Sequence, residues 1–231
     1  METAPVPQNG LTPPVRKFSR KWLIAGGVLI GLLIIGALIV LASRQFIRLA
    51  AASSQTPTPD ALMQGSPALG PQNAPVTIIE YGDFGCSSCW YWYKAGVLDQ
   101  IRAKNGNRGR FVWHDYAVIT LASPLAAEAG QCANDQGKFW EFHDAVYNND
   151  GSILDGDLHA YATAVGLNMS QFNTCLSSHR YHDRVLAEQT EAFTHGYFGA
   201  PFFLVNGRPL VGMQQLSSFS TVIDPLLAAK K

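Results

Sequence analysis

Two cysteines separated by two residues, Cys86 and Cys89, are the side chains of this 231-residue chain best suited to chemistry. They follow the apolar run 76–79 and precede an aromatic stretch with helical character. A thiolate at the start of a helix is stabilised by unpaired backbone N–H groups and by the helix dipole, which lower a cysteine pKa from about 8.5 to roughly 3.5–7.5. The spacing therefore predicts a redox pair in which Cys86 attacks and Cys89 resolves.

A C-x-x-C pair is also half of a zinc site, which needs two further ligands at a similar spacing. The other two cysteines, Cys132 and Cys175, are isolated in the sequence, and no two of the six histidines have the finger-type spacing H-x₃₋₅-H. His179 and His182 are only three positions apart. We therefore expect redox chemistry at Cys86 and Cys89, with no metal and no cofactor.

Residues 22–43 predict a transmembrane helix, because they carry no charge and are long enough, at about 1.5 Å per residue, to cross a hydrocarbon core of about 30 Å. A cleavable signal peptide is the alternative, since small residues at 49–52 offer a processing site. The apolar stretch is longer than the hydrophobic region of a signal peptide, which usually has roughly 7 to 15 residues, and this favours an uncleaved anchor. Basic residues are more numerous before this stretch (Arg16, Lys17, Arg20, Lys21) than after it (Arg44, Arg48).

This charge asymmetry predicts a cytoplasmic N-terminus and an extracytoplasmic remainder, held at the cell membrane of a bacterial envelope. The composition then divides the chain into a cytoplasmic tail (1–21), the transmembrane helix (22–43), a flexible linker (44–73) and one globular domain (74–231). Six of the 17 basic residues but only one of the 17 acidic residues precede residue 50, which leaves 11 basic against 16 acidic residues beyond it. An acidic exported part argues against nucleic acid as a partner.

Hydrophobic patterning in the globular domain predicts a strand at 76–81, a helix at 90–103 and a strand at 110–116, which together form a right-handed βαβ unit. A hairpin at 201–211 and a helix at 213–227 complete an α/β fold. Between the two halves lies a helical insertion at about 120–196. Its predicted helices are 123–134, 138–147, 158–165, 170–176 and 183–193.

Three segments resemble the exported DsbA-like thiol-disulfide oxidoreductases, in the order expected for that family. They are residues 74–89, which include the C-x-x-C pair, residues 137–143 and residues 199–207. The resemblance implies a thioredoxin-like fold with an inserted α-helical domain, here preceded by a single transmembrane helix. It also implies that Cys86 is the exposed nucleophile and Cys89 the more buried resolving thiol.

The same resemblance implies roles for Glu80, Pro201 and Ala200. Glu80 matches a buried acid that assists proton movement at the resolving cysteine, although strand alternation leaves a solvated glutamate as the alternative. Pro201 matches a cis-proline whose loop faces the thiols, and its neighbour Ala200 would offer main-chain groups to an extended client. Trp90 is expected either to pack in the core or to extend an apolar client groove near the thiols.

Two features remain open in the sequence. Ser87 and Ser88 replace the residues that the family often has between its cysteines, and these residues help to set the redox potential, so the direction of electron flow is undecided. The isolated pair Cys132 and Cys175 is expected to form a structural disulfide, because leftover cysteines in exported domains usually pair, although free buried cysteines are the alternative.

We therefore expect a membrane-anchored enzyme that forms disulfides in reduced or unfolded exported proteins and is reoxidised by a membrane partner of the quinone-linked oxidase type. A disulfide reductase or isomerase of the same fold is the first alternative. A non-catalytic binding or chaperone module, with structural thiols only, is the second.

Overall fold

The computed structural model describes residue 36, residues 38–41 and residues 63–229. The predicted tail at 1–21, nearly all of the predicted transmembrane helix at 22–43 and the linker up to residue 62 lie outside the described residues. Residues 36 and 38–41 are helical. Within the described part of the chain, no helix is both long and apolar enough to cross a membrane.

A five-stranded mixed sheet forms the centre of the domain, with the strand order β1-β3-β2-β4-β5. Strands β2 and β3 are parallel, and the other three neighbouring pairs are antiparallel. The parallel pair confirms the βαβ unit that the sequence predicted. The strands are β1 (Ala68–Leu69), β2 (Val76–Gly82), β3 (Gly109–Asp115), β4 (Phe202–Val205) and β5 (Arg208–Val211).

Helices cover the sheet and separate its two halves along the chain. Helices α1 (Ser87–Lys94) and α2 (Val97–Asn105) connect β2 to β3, with one turn of 3-10 helix at Gly106–Arg108. The insertion between β3 and β4 contains α3 (Ser123–Asn134), α4 (Phe139–Asn148), α5 (Asp155–Ala164), α6 (Met169–Ser177) and α7 (His182–Thr194). Helix α8 (Leu216–Ala228) follows the hairpin of β4 and β5.

The sequence predicted one helix at 90–103, and this prediction was wrong, because the chain forms two helices that meet at Gly96. The backbone of Gly96 is left-handed, with φ of 64°. A left-handed glycine ends a helix at little steric cost, and the Ala95 N–H bonds the Tyr91 carbonyl at the end of α1. The break makes α1 a short, separate helix that carries the two thiols at its start.

The predicted flexible linker at 44–73 was too long, because its last residues belong to the sheet. Strand β1 pairs with β3, with Ala68 opposite Val112. The chain turns out of β1 at Gly70, where φ is 88° and an added Cβ would lie 2.3 Å from the carbonyl oxygen of Gly109. Only glycine fits this close approach. The ordered domain therefore begins before residue 74.

A disulfide between Cys132 and Cys175 joins two helices of the insertion, α3 and α6. Its two cysteines are buried and 43 residues apart in sequence. In the chain-entropy account, closing a loop of this length stabilises the fold by at most about 4 kcal/mol. The bridge lies within the helical layer, apart from the C-x-x-C pair, so its position suits a structural role.

Close packing at Gly82, the last residue of β2, leaves no room for a side chain. An added Cβ would lie 2.2 Å from Cη2 of Trp113, a fully buried residue whose indole N–H donates to Asp115. Gly156, in the first turn of α5, has no atom within 4 Å of its added Cβ. The two glycines form a matched pair for testing how tightly the end of β2 is packed.

We expect Gly82→Ala to lower the free energy of unfolding by about 2–3 kcal/mol, because the tryptophan must shift in a filled core. Gly156→Ala should change it by less than about 1 kcal/mol, in the stabilising direction, because alanine favours a helix. Urea unfolding of the two variants measures the difference. Equal stabilities would show that the packing at Gly82 is loose.

Candidate active site

Cys86 occupies the N-cap position of α1, four residues beyond the end of β2. Its backbone is extended, with φ of −89° and ψ of 116°, and its carbonyl accepts the first helical hydrogen bond, from Trp90 N–H at 3.0 Å. A tight turn precedes it, in which Cys86 N–H donates to the Asp83 carbonyl at 3.0 Å. The sulfur therefore faces the unpaired N–H groups of the first helical turn.

These donors stabilise the thiolate. The Cys89 thiol, acting as a hydrogen-bond donor, is the largest influence, and together with the backbone N–H groups of Cys89 and Ser88 it lowers the pKa of Cys86 to about 7. Partial burial and the negative charge of Asp83 act in the opposite direction. The spacer residue Ser88 thus contributes through its backbone N–H group.

Cys89 lies one helical turn further along and is sealed from solvent, with 1 % of its surface exposed. Burial is the main cause that raises the pKa of the Cys89 thiol well above its ordinary value, and the neighbouring Cys86 adds to the effect. Both cysteines are free thiols here. Cys86 was expected to be the exposed nucleophile, but it is itself buried in this dithiol form, with 5 % of its surface exposed. Near neutral pH Cys86 is partly ionised, whereas the more deeply buried Cys89 stays protonated.

Glu80 points into the core from the middle strand β2, with 2 % of its surface exposed, so it is not the solvated glutamate that strand alternation left open. It lies opposite Trp113 on β3 and Phe203 on β4. Burial, and then the negative charge of Cys86, raise the pKa of Glu80 to about 8. A carboxyl group that is protonated near neutrality can exchange protons with a buried thiol.

The loop before β4 meets the thiols from the opposite side. The Ala200–Pro201 peptide bond is cis, and the Cys86 thiol donates to the Ala200 carbonyl oxygen at 3.1 Å. From the sequence, we expected the main-chain groups of Ala200 to be free to pair with an extended client. In this dithiol form the Ala200 carbonyl instead accepts a hydrogen bond from the nucleophile itself.

Trp90 borders a surface depression of about 250 Å³ that is also lined by Cys86, Ser87 and Tyr91. The Trp90 ring is half-buried, and its indole N–H donates to the Tyr147 carbonyl at 2.9 Å. Tyr91 is 59 % exposed and packs edge-on against Trp90. The tryptophan therefore has a structural contact and also lines the depression beside Cys86, and its role toward a client stays a prediction.

Two residues at the site carried no assigned role in the sequence analysis. The Tyr147 hydroxyl donates to the Asp83 carbonyl at 3.2 Å, so helix α4 is bonded to both sides of Cys86, through Asp83 and through Trp90. No sequence pattern joins Tyr147 to Trp90, 57 residues earlier, or to Asp83, 64 residues earlier. Asp83 lies three residues before Cys86, and its proximity to the thiols was the available signal.

A second buried polar cluster joins α7 to the sheet. Glu191 accepts a hydrogen bond from the Tyr81 hydroxyl at 2.9 Å and lies 2.7 Å from the Nε2 atom of His195. Although burial opposes ionisation, the nearby His114, whose Nδ1 lies 3.7 Å from Oε2, and the hydrogen bonds to Tyr81 and His195 lower the pKa of Glu191 to about 2. The cluster fixes α7, and with it the loop that leads to Pro201.

Comparison with known sequences decides the family. A profile of the family described as Thioredoxin matches residues 63–225, which include every strand of the sheet and both redox cysteines. The chain belongs to the thioredoxin family. Its match begins at residue 63, ahead of β1, where the described part of the domain also begins.

The curated relatives of this thioredoxin-family chain are much longer proteins. The chain is 32 % identical over 165 residues to the Na(+)/H(+) antiporter NhaA 1 of Salinispora arenicola, a match that covers 70 % of the chain and 25 % of that protein. It is 31 % identical over 155 residues to the Na(+)/H(+) antiporter NhaA of Herminiimonas arsenicoxydans, covering 67 % and 24 %. The chain spans about a quarter of the length of these relatives.

Solved structures show the same fold. A thioredoxin-like oxidoreductase from Silicibacter pomeroyi superposes with a TM-score of 0.67 at 23 % identity, covering 76 % of this chain and 99 % of that one. Oxidised BdbD from Bacillus subtilis superposes with a TM-score of 0.65 at 20 % identity, covering 72 % of this chain and 95 % of that one. Wolbachia pipientis α-DsbA1 superposes with a TM-score of 0.62 at 22 % identity, covering 75 % of this chain and 94 % of that one. The thioredoxin-like fold with DsbA-like structural neighbours is thereby confirmed.

Replacing Glu80 by glutamine should stabilise the protein in a pH-dependent way. The unfolded chain releases the Glu80 proton near pH 4.5 and the folded protein only near pH 8, so wild-type stability falls as pH rises between these values. Within this window the free energy of unfolding of the wild type falls by at most about 1.4 kcal/mol per pH unit. We expect the free energy of unfolding of Glu80→Gln to exceed that of wild type by about 2–3 kcal/mol at pH 7 and to equal it near pH 4.

Urea unfolding of the reduced protein across this pH range measures the difference. Glu141→Gln, which alters an exposed glutamate of α4, is the control and should show a difference from wild type that does not vary with pH. A Glu80→Gln curve parallel to that of wild type would mean that Glu80 is ionised in the folded protein.

Proposed function

We propose that this protein is a thiol-disulfide oxidoreductase of exported proteins, with Cys86 as the nucleophile and Cys89 as the resolving thiol. One observation carries the proposal: two thiols one helical turn apart have opposite environments. The N–H groups and the thiol donor around Cys86 lower its pKa to about 7, whereas burial raises the pKa of Cys89. This asymmetry assigns the two cysteines different roles in exchange.

In the oxidising direction, a client thiolate attacks Cys86 of the Cys86–Cys89 disulfide. A client–Cys86 bond forms, the bond to Cys89 breaks, and Cys89 leaves as a thiolate that takes a proton from Glu80. A second client thiolate then attacks the client sulfur and releases Cys86 as a thiolate. The client loses two electrons and gains a disulfide, and the enzyme becomes the dithiol.

The surface around Cys86 suits unfolded clients, because large apolar side chains are exposed there. An added Cβ at Gly85 would touch Thr120 and Ile153, so the segments on either side of these residues border the active-site turn. Phe198 lies two residues before Ala200, whose carbonyl contacts Cys86. The exposed side chains are Leu121 (105 %), Phe198 (82 %), Leu154 (69 %), Tyr91 (59 %) and Ile119 (45 %).

The direction of electron flow has a second candidate with its own support. A nucleophile pKa of about 7 is the value of thioredoxin, a reductant, whereas that of DsbA, a strong oxidant, is about 3.5. A less stabilised thiolate holds the dithiol form less firmly and so favours donation of electrons. We retain disulfide formation as the first proposal and reduction or isomerisation of client disulfides as the second.

The cellular setting is proposed from the sequence alone. The apolar residues 22–43 would anchor the protein in the cell membrane, with the N-terminus in the cytoplasm and the redox domain in an oxidising extracytoplasmic space. A membrane partner of the quinone-linked oxidase type would then reoxidise Cys86 and Cys89. Supply of electrons across the membrane would instead support the reductive candidate.

Equilibration of the purified protein with glutathione buffers separates the two directions. A potential near about −120 mV would support the oxidase, whereas a value near about −270 mV or below would exclude it in favour of the reductase. The fraction of oxidised protein is read by alkylation and mass shift. Cys132→Ala/Cys175→Ala should give the same potential, since that disulfide lies outside the site.

Catalysis itself is tested with a reduced, unfolded client. Cys86→Ser should abolish client oxidation. With a disulfide-bonded client, Cys89→Ser should accumulate a client–Cys86 mixed disulfide, because the Cys86 thiolate breaks the client disulfide, releases one client thiolate and has no resolving thiol to complete the exchange. Wild-type rates in Cys86→Ser would instead favour a non-catalytic binding module.

A further inference from the structure

The carboxylate of Asp83 has an unusual place beside the thiols. It is buried, with 1 % of the residue exposed, and it accepts three backbone hydrogen bonds. Oδ1 accepts from Gly85 N–H at 2.7 Å, and Oδ2 accepts from Val118 N–H at 2.9 Å and Ile119 N–H at 2.8 Å. A buried carboxylate that accepts several N–H groups can stay ionised without a cation.

These bonds connect two segments that are distant in sequence. Gly85 precedes the nucleophile directly, and Val118 and Ile119 belong to the segment between β3 and α3. That segment also carries two of the exposed apolar side chains that border the site, Ile119 and Leu121. The Asp83 side chain therefore fixes the nucleophile relative to a surface that a client would contact.

The Asp83 main chain adds two further contacts at the same place. Its carbonyl accepts from Cys86 N–H at 3.0 Å and from the Tyr147 hydroxyl at 3.2 Å. One residue thus bonds the active-site turn, the segment after β3 and the helical insertion. Among the charged residues described near the thiols, Glu80 already has a role in proton exchange, and Asp83 has none.

We propose that Asp83 is a positioning residue of the redox site, whose buried carboxylate binds the Cys86 turn to the 118–119 segment and opposes ionisation of Cys86 by its charge. The proposal rests on the function proposed above. In this arrangement Asp83 counteracts the helix N-terminus, so it keeps the protein from becoming a stronger oxidant. Burial is the larger influence that opposes ionisation of Cys86, and the charge of Asp83 adds to it.

Asp83→Asn tests the charge, because asparagine keeps the size and one acceptor oxygen. The Cys86 pKa should fall, since a repelling charge is removed, and the equilibrium with glutathione should shift toward the dithiol by about three- to tenfold. If the variant only loosened the turn, the thiolate would lose N–H donors and the Cys86 pKa would rise. The sign of the change therefore separates the two effects, and an unchanged or raised pKa would overturn the proposal.

Asp150→Asn is the matched control. Asp150 lines the same depression as Cys86 but is exposed, so water screens its charge, and its removal should shift the glutathione equilibrium by less than about twofold. Thiolate formation is followed by the pH dependence of Cys86 alkylation in each variant. If Asp83→Asn does not fold, Asp83→Ser replaces it, because the serine hydroxyl can still accept one N–H bond without a charge.

The positioning role is tested in the unaltered protein by amide hydrogen exchange. Ile119 lies outside helices and strands, yet its amide, which donates to Asp83, should exchange at least about tenfold more slowly than those of exposed loop residues. An unprotected Ile119 amide would contradict the proposal. None of these measurements needs a client, so failure of the wild type to oxidise a client would count against the proposed function alone.

Discussion

Reactivity at this site depends on the unequal surroundings of two sulfur atoms that are one helical turn apart. Cys86 meets the first N–H groups of α1 and lines a surface depression, and Cys89 is enclosed more completely. A helix alone cannot produce such a difference, because both positions lie in its first turn. The end of β2, helix α4 and the loop before Pro201 close around the inner sulfur, and burial then decides which thiol ionises.

The helical insertion contributes to the site through few contacts. Tyr147 on α4 bonds the turn before Cys86 through its hydroxyl and the Trp90 indole through its carbonyl. The Cys132–Cys175 disulfide joins α3 to α6 within the same layer. The insertion therefore covers the sheet and also holds the redox helix in place. In the core next to it, the rings of Phe84 and Trp113 stack on each other.

Much of this arrangement could be predicted from the sequence, because the patterns involved are local. The C-x-x-C pair, the βαβ unit and the hairpin at 201–211 each depend on spacing or turn residues within a short window. Strand β1 was missed because two residues are too few to show a period, and the helix break was missed because an isolated glycine is tolerated in helices. The burial of Glu80 could not be decided by alternation, since the central strand β2 is covered on both faces.

The contacts that tune the site are the part that local patterns do not contain. Asp83 meets Val118 and Ile119 across 35 and 36 residues, and Cys86 meets Ala200 across 114. Such pairs are set by the order of strands in the sheet, because the end of β2 is adjacent to the end of β3 on one side and to β4 on the other. Only the folded topology shows which backbone amide faces which carboxylate.

The shared enclosure of Glu80 and the thiols couples electron transfer to proton transfer. When the Cys86–Cys89 disulfide is reduced, a negative charge arises on Cys86, and that charge favours protonation of Glu80. The arriving electrons thus draw a proton to Glu80, so the reduced site holds less negative charge than it would with Glu80 ionised. Its affinity for electrons must consequently weaken as the surroundings become more alkaline.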